Sequence, residues 1–394
     1  MRKERIPEIE RLRGLAFLAV VLQHSIAHYS VEEGMGPSDG VGMAAMLLAV
    51  KFAVPAFIFI TGLVLFYNDP GELNYGTFVR KRVLDIYVPF AVWTIIHTVM
   101  NRGLHPGSLD GWADLGLTLL TGKASSHLWY IIMLFQFYLL YPLFRTALLG
   151  ISRRFTLKMN VILLWVAGGL YILMTDHITD IGSWMGQFQI PVWSDLFTTY
   201  ADRNAFFYSF YFMLGAAAGM NQRVWTTWIR KARPFYWPLF FFLFGFLLMK
   251  GIGEILSAQG AGITFYSLSL LRPWMAAFLV CSIFVVYDVS VWICRHGGPV
   301  INQLLSSLGL YSFGAYLMHL LTLRISYLAD EAWFAAAPPW ARILFSWGIG
   351  TMLAYAGARL FSLLPFGKWL AGVPGGRSRR KRIIVKTAGN AADM

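Results

Sequence analysis

Arg13 and His24 are the two residues whose types and spacing most clearly define a reaction. They stand eleven residues apart in "IERLRGLAFLAVVLQHS", Ile9 to Ser25, with Glu10 and Arg11 beside the first of them and no ionisable group between the pair. On an α-helix, eleven steps of 100° return to within about 20° of whole turns, so both side chains leave one face, roughly 16 Å apart along the axis. A guanidinium offers the planar fork that phosphate prefers. An imidazole titrating near its usual value of about 6.5 can take a proton from a hydroxyl or accept an acyl group itself. A nucleotide phosphate held at Arg13 would let an extended pantetheine arm carry a thioester to His24.

Other residues extend or limit that reading. Arg11, Arg80 and Arg82 join Arg13 at the same entrance, whereas Lys81, Arg153 and Arg154 read as ordinary topology charges. His28 follows His24 by one turn, the spacing of two metal ligands on one face. No HExxH pattern and no nearby cysteine or carboxylate cluster accompanies the pair, so no metal is expected. His97 and His319 recur at similar depth in later segments; His97 reads as a neutral imidazole tethering two helices. A P-loop, a dinucleotide fingerprint and a GxSxG elbow are all missing, which argues against hydrolase and nucleotide-driven pump chemistry.

The elements that must hold these groups are membrane helices. The chain has 394 residues, 57% hydrophobic and 13% charged, too little polar surface for a soluble protein of this length. Apolar runs long enough to cross a hydrocarbon layer recur at 14–30, 42–66, 84–101, 128–148, 157–174, 205–220, 236–256, 270–292, 307–328 and 341–364. In lipid each must be helical, because backbone amides find partners only within their own segment. The expected fold is therefore all-α, a polytopic bundle of about ten spans over 1–370, followed by a basic cytoplasmic tail over 371–394. The first span lacks a small-residue cleavage site and reads as an uncleaved helix rather than a signal peptide.

The net charge of +13 is a topology signal and not a nucleic-acid footprint. With the N-terminus in the cytoplasm, 24 Lys and Arg fall on inside segments and six outside, while Lys51, Lys250 and Arg359 lie within spans. This asymmetry places both termini inside. The tail motif "RSRRKR", 377–382, can also touch anionic lipid. Cys281 and Cys294 are too few and too deep for a disulfide framework. The longest outside connections, about 102–127 and 175–204, include Trp184 and Trp193 beside Asp176, Asp180, Asp195 and Asp202. Both a sugar-binding surface and simple interfacial anchoring fit that composition.

Three stretches together resemble the membrane-bound acyltransferase-3 family, which modifies bacterial envelope glycans. "ERLRGLAFLAVVLQH" matches its opening signature, with the Arg-x10-His pair on Arg13 and His24. "HLWYIIMLFQFYLLYPL" is similar to its His-Leu-Trp segment, here His127 and Trp129, and "LGLYSFGAYLMHLL" to its late Tyr-x-x-His, here Tyr316 and His319. The family often carries Arg-x-x-Arg at the third span, whereas this chain reads "RVLD", with Asp85 at the second Arg position. The resemblance covers nearly the whole chain. It implies roughly ten helices, a cytoplasmic acyl-CoA donor, a sugar hydroxyl acceptor, and a need for Arg13 and His24.

The resulting expectation is an O-acyltransferase of the bacterial plasma membrane that moves an acetyl or succinyl group from acyl-CoA, acetyl-CoA foremost, to an envelope glycan or exopolysaccharide. Arg11, Arg13, Arg80 and Arg82 would bind the donor phosphates. His24 would act as base or acyl acceptor, with His319 as a second donor to the sugar or thioester oxygen. His127, Trp129 and Tyr316 would contact substrate, and polysaccharide synthesis or export machinery would be a partner. The rival is a flippase for a lipid-linked glycan. It predicts a polar through-path in repeated halves, and the sequence holds no such repeat.

Overall fold

A computed structural model describes residues 6–32, 35–69, 71–102, 109–257, 263 and 265–372. The "RSRRKR" tail and the N-terminal charges Arg2, Lys3 and Arg5 lie outside the described residues. Among the described residues the chain is helical, with no strand.

The first part of the chain comprises α1 (Pro7–Tyr29), α2 (Pro37–Val50), α3 (Ala53–Tyr67), α4 (Tyr75–Arg82), a π-helical turn at Val83–Tyr87, α5 (Val88–Arg102) and α6 (Leu109–Thr121). Next come α7 (Trp129–Leu139), α8 (Tyr141–Arg154), α9 (Leu157–Asp176), α10 (Ile178–Gly186), α11 (Trp193–Phe197) and α12 (Ser209–Met220). The chain continues through α13 (Gln222–Ser257), α14 (Pro273–His296), α15 (Pro299–Trp333), α16 (Pro339–Phe361) and α17 (Gly367–Ala371). Proline stands in the first turn of α1, α2, α14, α15 and α16, where its missing N–H would have no helical partner in any case.

Six helical segments are long and apolar enough to cross a membrane, or seven if the bent pair α7–α8 counts as one span. That pair turns by 56°, with Pro142 just past the bend. The segment expected at 205–220 is a shorter apolar helix, Ala205–Met220. The two long connections are themselves partly helical, holding α6 in one and α10 and α11 in the other.

Helix α1 occupies the middle of the bundle, packed against α2, α3, α14, α15 and α16. Its seam with α15 is built on small residues. A side chain at Gly14 would strike the Leu305 carbonyl, and one at Gly309 would strike the Glu10 carbonyl, so the two backbones lie in direct contact. A similar glycine seam, through Gly62, Gly215 and Gly219, joins α3 to α12. Lipid tails offer no hydrophobic driving force between helices, and close backbone approach supplies the van der Waals contact instead.

Candidate active site

The α1 geometry delivers Arg13 and His24 to the same neighbour. Arg13, half-buried, interacts electrostatically with Tyr130 and Tyr138 of α7 and with Glu10. Three turns further along, the His24 ring lies 6.3 Å from that of His127, just ahead of α7, and 5.0 Å from that of His319 on α15. One stripe of α1 therefore faces the His127–Tyr138 segment along its length.

Around His24 the structure gathers three further imidazoles and a phenol. His127 lies 4.7 Å from His319, 5.1 Å from His97 and 5.2 Å from Tyr316, ring to ring. The Tyr316 hydroxyl donates to the His127 carbonyl, and Tyr130 packs 5.7 Å from Tyr316. His97, His127 and His319 are sealed, at 0%, 2% and 0% exposure. His24 alone of the four is partly accessible, although it stands deep in α1.

Backbone carbonyls assign the tautomers, since a carbonyl only accepts and the nitrogen facing it must carry the hydrogen. Nε2 of His97 and Nε2 of His127 share the Leu317 carbonyl, at 3.0 and 3.3 Å. Nδ1 of His319 donates to the Tyr316 carbonyl one turn back on its own helix. The opposite nitrogens, Nδ1 of His97, Nδ1 of His127 and Nε2 of His319, are buried without a hydrogen-bond partner. Neutral His319 thus turns a lone pair toward the site, where the sequence reading has it donate. A group that pairs with Nε2 must bring its own hydrogen. Among the described residues, no group of three or more His, Cys, Asp or Glu is arranged to hold a metal ion.

The entrance cations divide. Arg82 is sandwiched between Phe78 and Tyr138, 4.9 and 5.0 Å from their ring centres, and its Nε is buried without a partner. Because Tyr138 also neighbours Arg13, the two guanidiniums flank one phenol. Arg11 points elsewhere: Nε donates to Asn302 Oδ1 at 3.1 Å, Nη1 donates to the Pro7 carbonyl at 3.1 Å, and Glu10 lies 4.0 Å away. Arg80 and Lys81 face outward on α4. Trp129 packs against Tyr130 and Tyr208 rather than among the histidines. His28 stacks on Tyr327 at 3.6 Å, toward the far end of α1.

The Asp85 departure acquires a local reason. Asp85 lies in the π turn and pairs with Lys368 of α17 at 2.6 Å, so a carboxylate clamps the C-terminal helix where a guanidinium would repel it. Trp93 reinforces the clamp by donating to the Leu370 carbonyl at 2.9 Å.

A family model described as an acyltransferase domain matches residues 6–359. The chain belongs to this acyltransferase family. A protein of Bacillus subtilis (strain 168), provisionally named membrane-bound acyltransferase YfiQ, is 27% identical over 159 residues, which cover 40% of this chain and 44% of that relative. No solved structure matches. In this member of the acyltransferase family, the histidine of the Arg-x10-His pair, the His-Leu-Trp histidine and the Tyr-x-x-His pair converge on one centre from three separate regions of the chain.

Two members of that centre were not assigned to it on sequence grounds. His97 does tether helices, through Leu317 on α15, but it also lies against His127. Lys51 stands at the break between α2 and α3, and its charge acts on His24. A lysine four residues ahead of Pro55, inside an otherwise apolar run, was the available signal for an interrupted span.

Proposed function

We propose that this membrane acyltransferase moves an acyl group from cytoplasmic acyl-CoA to a hydroxyl of an envelope glycan or exopolysaccharide, in the plasma membrane of a bacterium. The bundle would have about ten spans and both termini inside. The observation that carries the reading is the shared stripe of Arg13 and His24, with the one partly accessible imidazole of the four-histidine cluster roughly 16 Å beyond the guanidinium. That interval matches an outstretched pantetheine arm. Donor phosphates rest on Arg13 and Arg82, whose Nε lacks a protein partner, and Tyr138 lies between them. Arg11, engaged with Asn302 and Glu10, contributes to the rim's charge rather than to direct contact.

At the centre, His24 takes the proton of the acceptor hydroxyl as its oxygen attacks the thioester carbonyl carbon. The carbon–sulfur bond then breaks, and the departing thiolate takes the proton back from the imidazolium, leaving an ester and free CoA. The unpaired Nε2 of His319 would accept from the imidazolium as it forms, as a carboxylate does in many His-based sites. Polysaccharide synthesis or export machinery would supply the acceptor.

Two measurements test the reading. Purified protein in detergent should bind acetyl-CoA or succinyl-CoA, and Arg13→Lys should weaken that binding. Cells lacking the gene should lose an acyl mass increment from a surface glycan, restored by wild type but not by His24→Ala. An unchanged glycan profile together with no thioester binding would remove the proposal.

A further inference from the structure

Lys51 is the charged group at the centre that acid–base chemistry leaves unused. Helices α2 and α3 form one 31-residue apolar segment, Pro37–Tyr67, interrupted at Lys51 and Phe52. The break is pinned by Gln23, whose Nε2 donates to the Val50 carbonyl at 2.6 Å. Gln23 precedes His24 and Val50 precedes Lys51, so this bond holds the break at Lys51 against the turn of α1 that carries His24. The ammonium acts electrostatically on the imidazole, and Lys51, like His24, is half-buried.

An ammonium in the hydrocarbon layer costs several kcal/mol unless it is paired. Elsewhere in the bundle, cations meet anions: Arg342 meets Glu32 and Asp330, Arg233 meets Asp288, and Lys368 meets Asp85. Lys250 and Arg272, near the outer ends of their segments, lie over the rings of Phe246 and Tyr266. Lys51 has no carboxylate, hydrogen bond or aromatic face among the described residues. An accessible, uncompensated cation beside the reacting centre calls for an anion brought by the substrate.

Resting on the acyl-CoA reading above, we propose that Lys51 selects an acyl group ending in a carboxylate, a short dicarboxylic half-thioester of the succinyl class. The donor arm runs from Arg13 to His24, so the thioester carbonyl stops at His24. Whatever the acyl chain carries a few carbons further on meets the ammonium at the break. A free carboxylate there completes the ion pair, and an acetyl group leaves Lys51 bare.

The experiment compares succinyl-CoA with acetyl-CoA by calorimetry on full-length protein in detergent, for wild type, Lys51→Met and Lys51→Arg. Wild type should bind succinyl-CoA about tenfold or more tightly than acetyl-CoA, the range of a charged hydrogen bond in a shielded site. Lys51→Met should abolish that preference by weakening succinyl-CoA binding about tenfold more than acetyl-CoA binding, and Lys51→Arg should keep part of it. The wild-type comparison stands by itself should a variant fail to fold. Equal binding of the two thioesters by wild type, or equal loss of both in Lys51→Met, would overturn the inference and leave the acyl-CoA reading standing. Binding of neither removes both.

Discussion

Helix α1 has two regions that treat polar groups in opposite ways. At its C-terminal end, most polar atoms are tied to protein, Asp330 Oδ1 being an exception. Ser25 donates to the Ile343 carbonyl at 2.9 Å, Tyr29 and Ser346 share a 2.7 Å hydrogen bond, and Arg342 bridges Glu32 and Asp330 at 2.8 Å each. On another face, the same helix presents Arg13 to Tyr130 and Tyr138 of α7 and His24 to the rings of His127 and His319, whose Nδ1 and Nε2 respectively are buried without a partner. Both regions carry the high cost of polarity in a lipid-facing protein. The first offsets it internally and holds the fold together. The second leaves the buried nitrogens of His127 and His319 without a partner, which fits the acyl-transfer site proposed above.

The largest expected effect lies on the incomplete side. His24→Ala should lower acyl transfer by about two to four orders of magnitude, the usual contribution of a positioned acid–base group, while thermal unfolding in detergent stays near wild type. Turnover at the wild-type rate would erase the distinction between the two regions. On the completed side, Arg342→Ala leaves the fully buried Asp330 without its cation. Breaking such a pair costs about 3–5 kcal/mol, to be seen as a marked fall in unfolding temperature. An unaltered melting curve would show that the outer network does not hold the fold.

Gly309→Ala probes the seam on which both regions depend. Its new methyl meets the Glu10 backbone, and forcing α1 from α15 should cost about 1–3 kcal/mol. It should also lower turnover by displacing His24 from the His319 ring. Arg13→Lys retains charge but loses the planar fork, so a Michaelis constant for acyl-CoA raised about tenfold, with kcat nearly kept, is expected from the loss of one charge-assisted bond. Arg11→Ala is the smallest change. Because Arg11 bonds Asn302 and the Pro7 carbonyl, its loss should leave the Michaelis constant within about twofold, since partly exposed pairs contribute little. A larger rise would return Arg11 to the phosphate site.

Much of this was readable from order along the chain. Helicity followed from apolar composition, because lipid leaves the backbone no other partner, and the common face of Arg13 and His24 followed from the helical period. The bend at α7–α8 and the break at Lys51 were less legible: an apolar run reads as one span, and the side chain that steadies the Lys51 break, Gln23, comes from another helix. The tautomers were not legible at all. They depend on the Leu317 and Tyr316 carbonyls, whose availability is a property of the folded α15.

The sequence by itself determined that this chain is a helical membrane protein and that a guanidinium and an imidazole share one stripe of α1, because both follow from local periodicity and from the solvent. Tertiary structure decided which polar groups are paired and which are not. Arg11 finds Asn302 across 291 positions, whereas Lys51 finds no partner among the described residues. Pairing is a contact between distant segments, and no local rule ranks those segments before the helices pack.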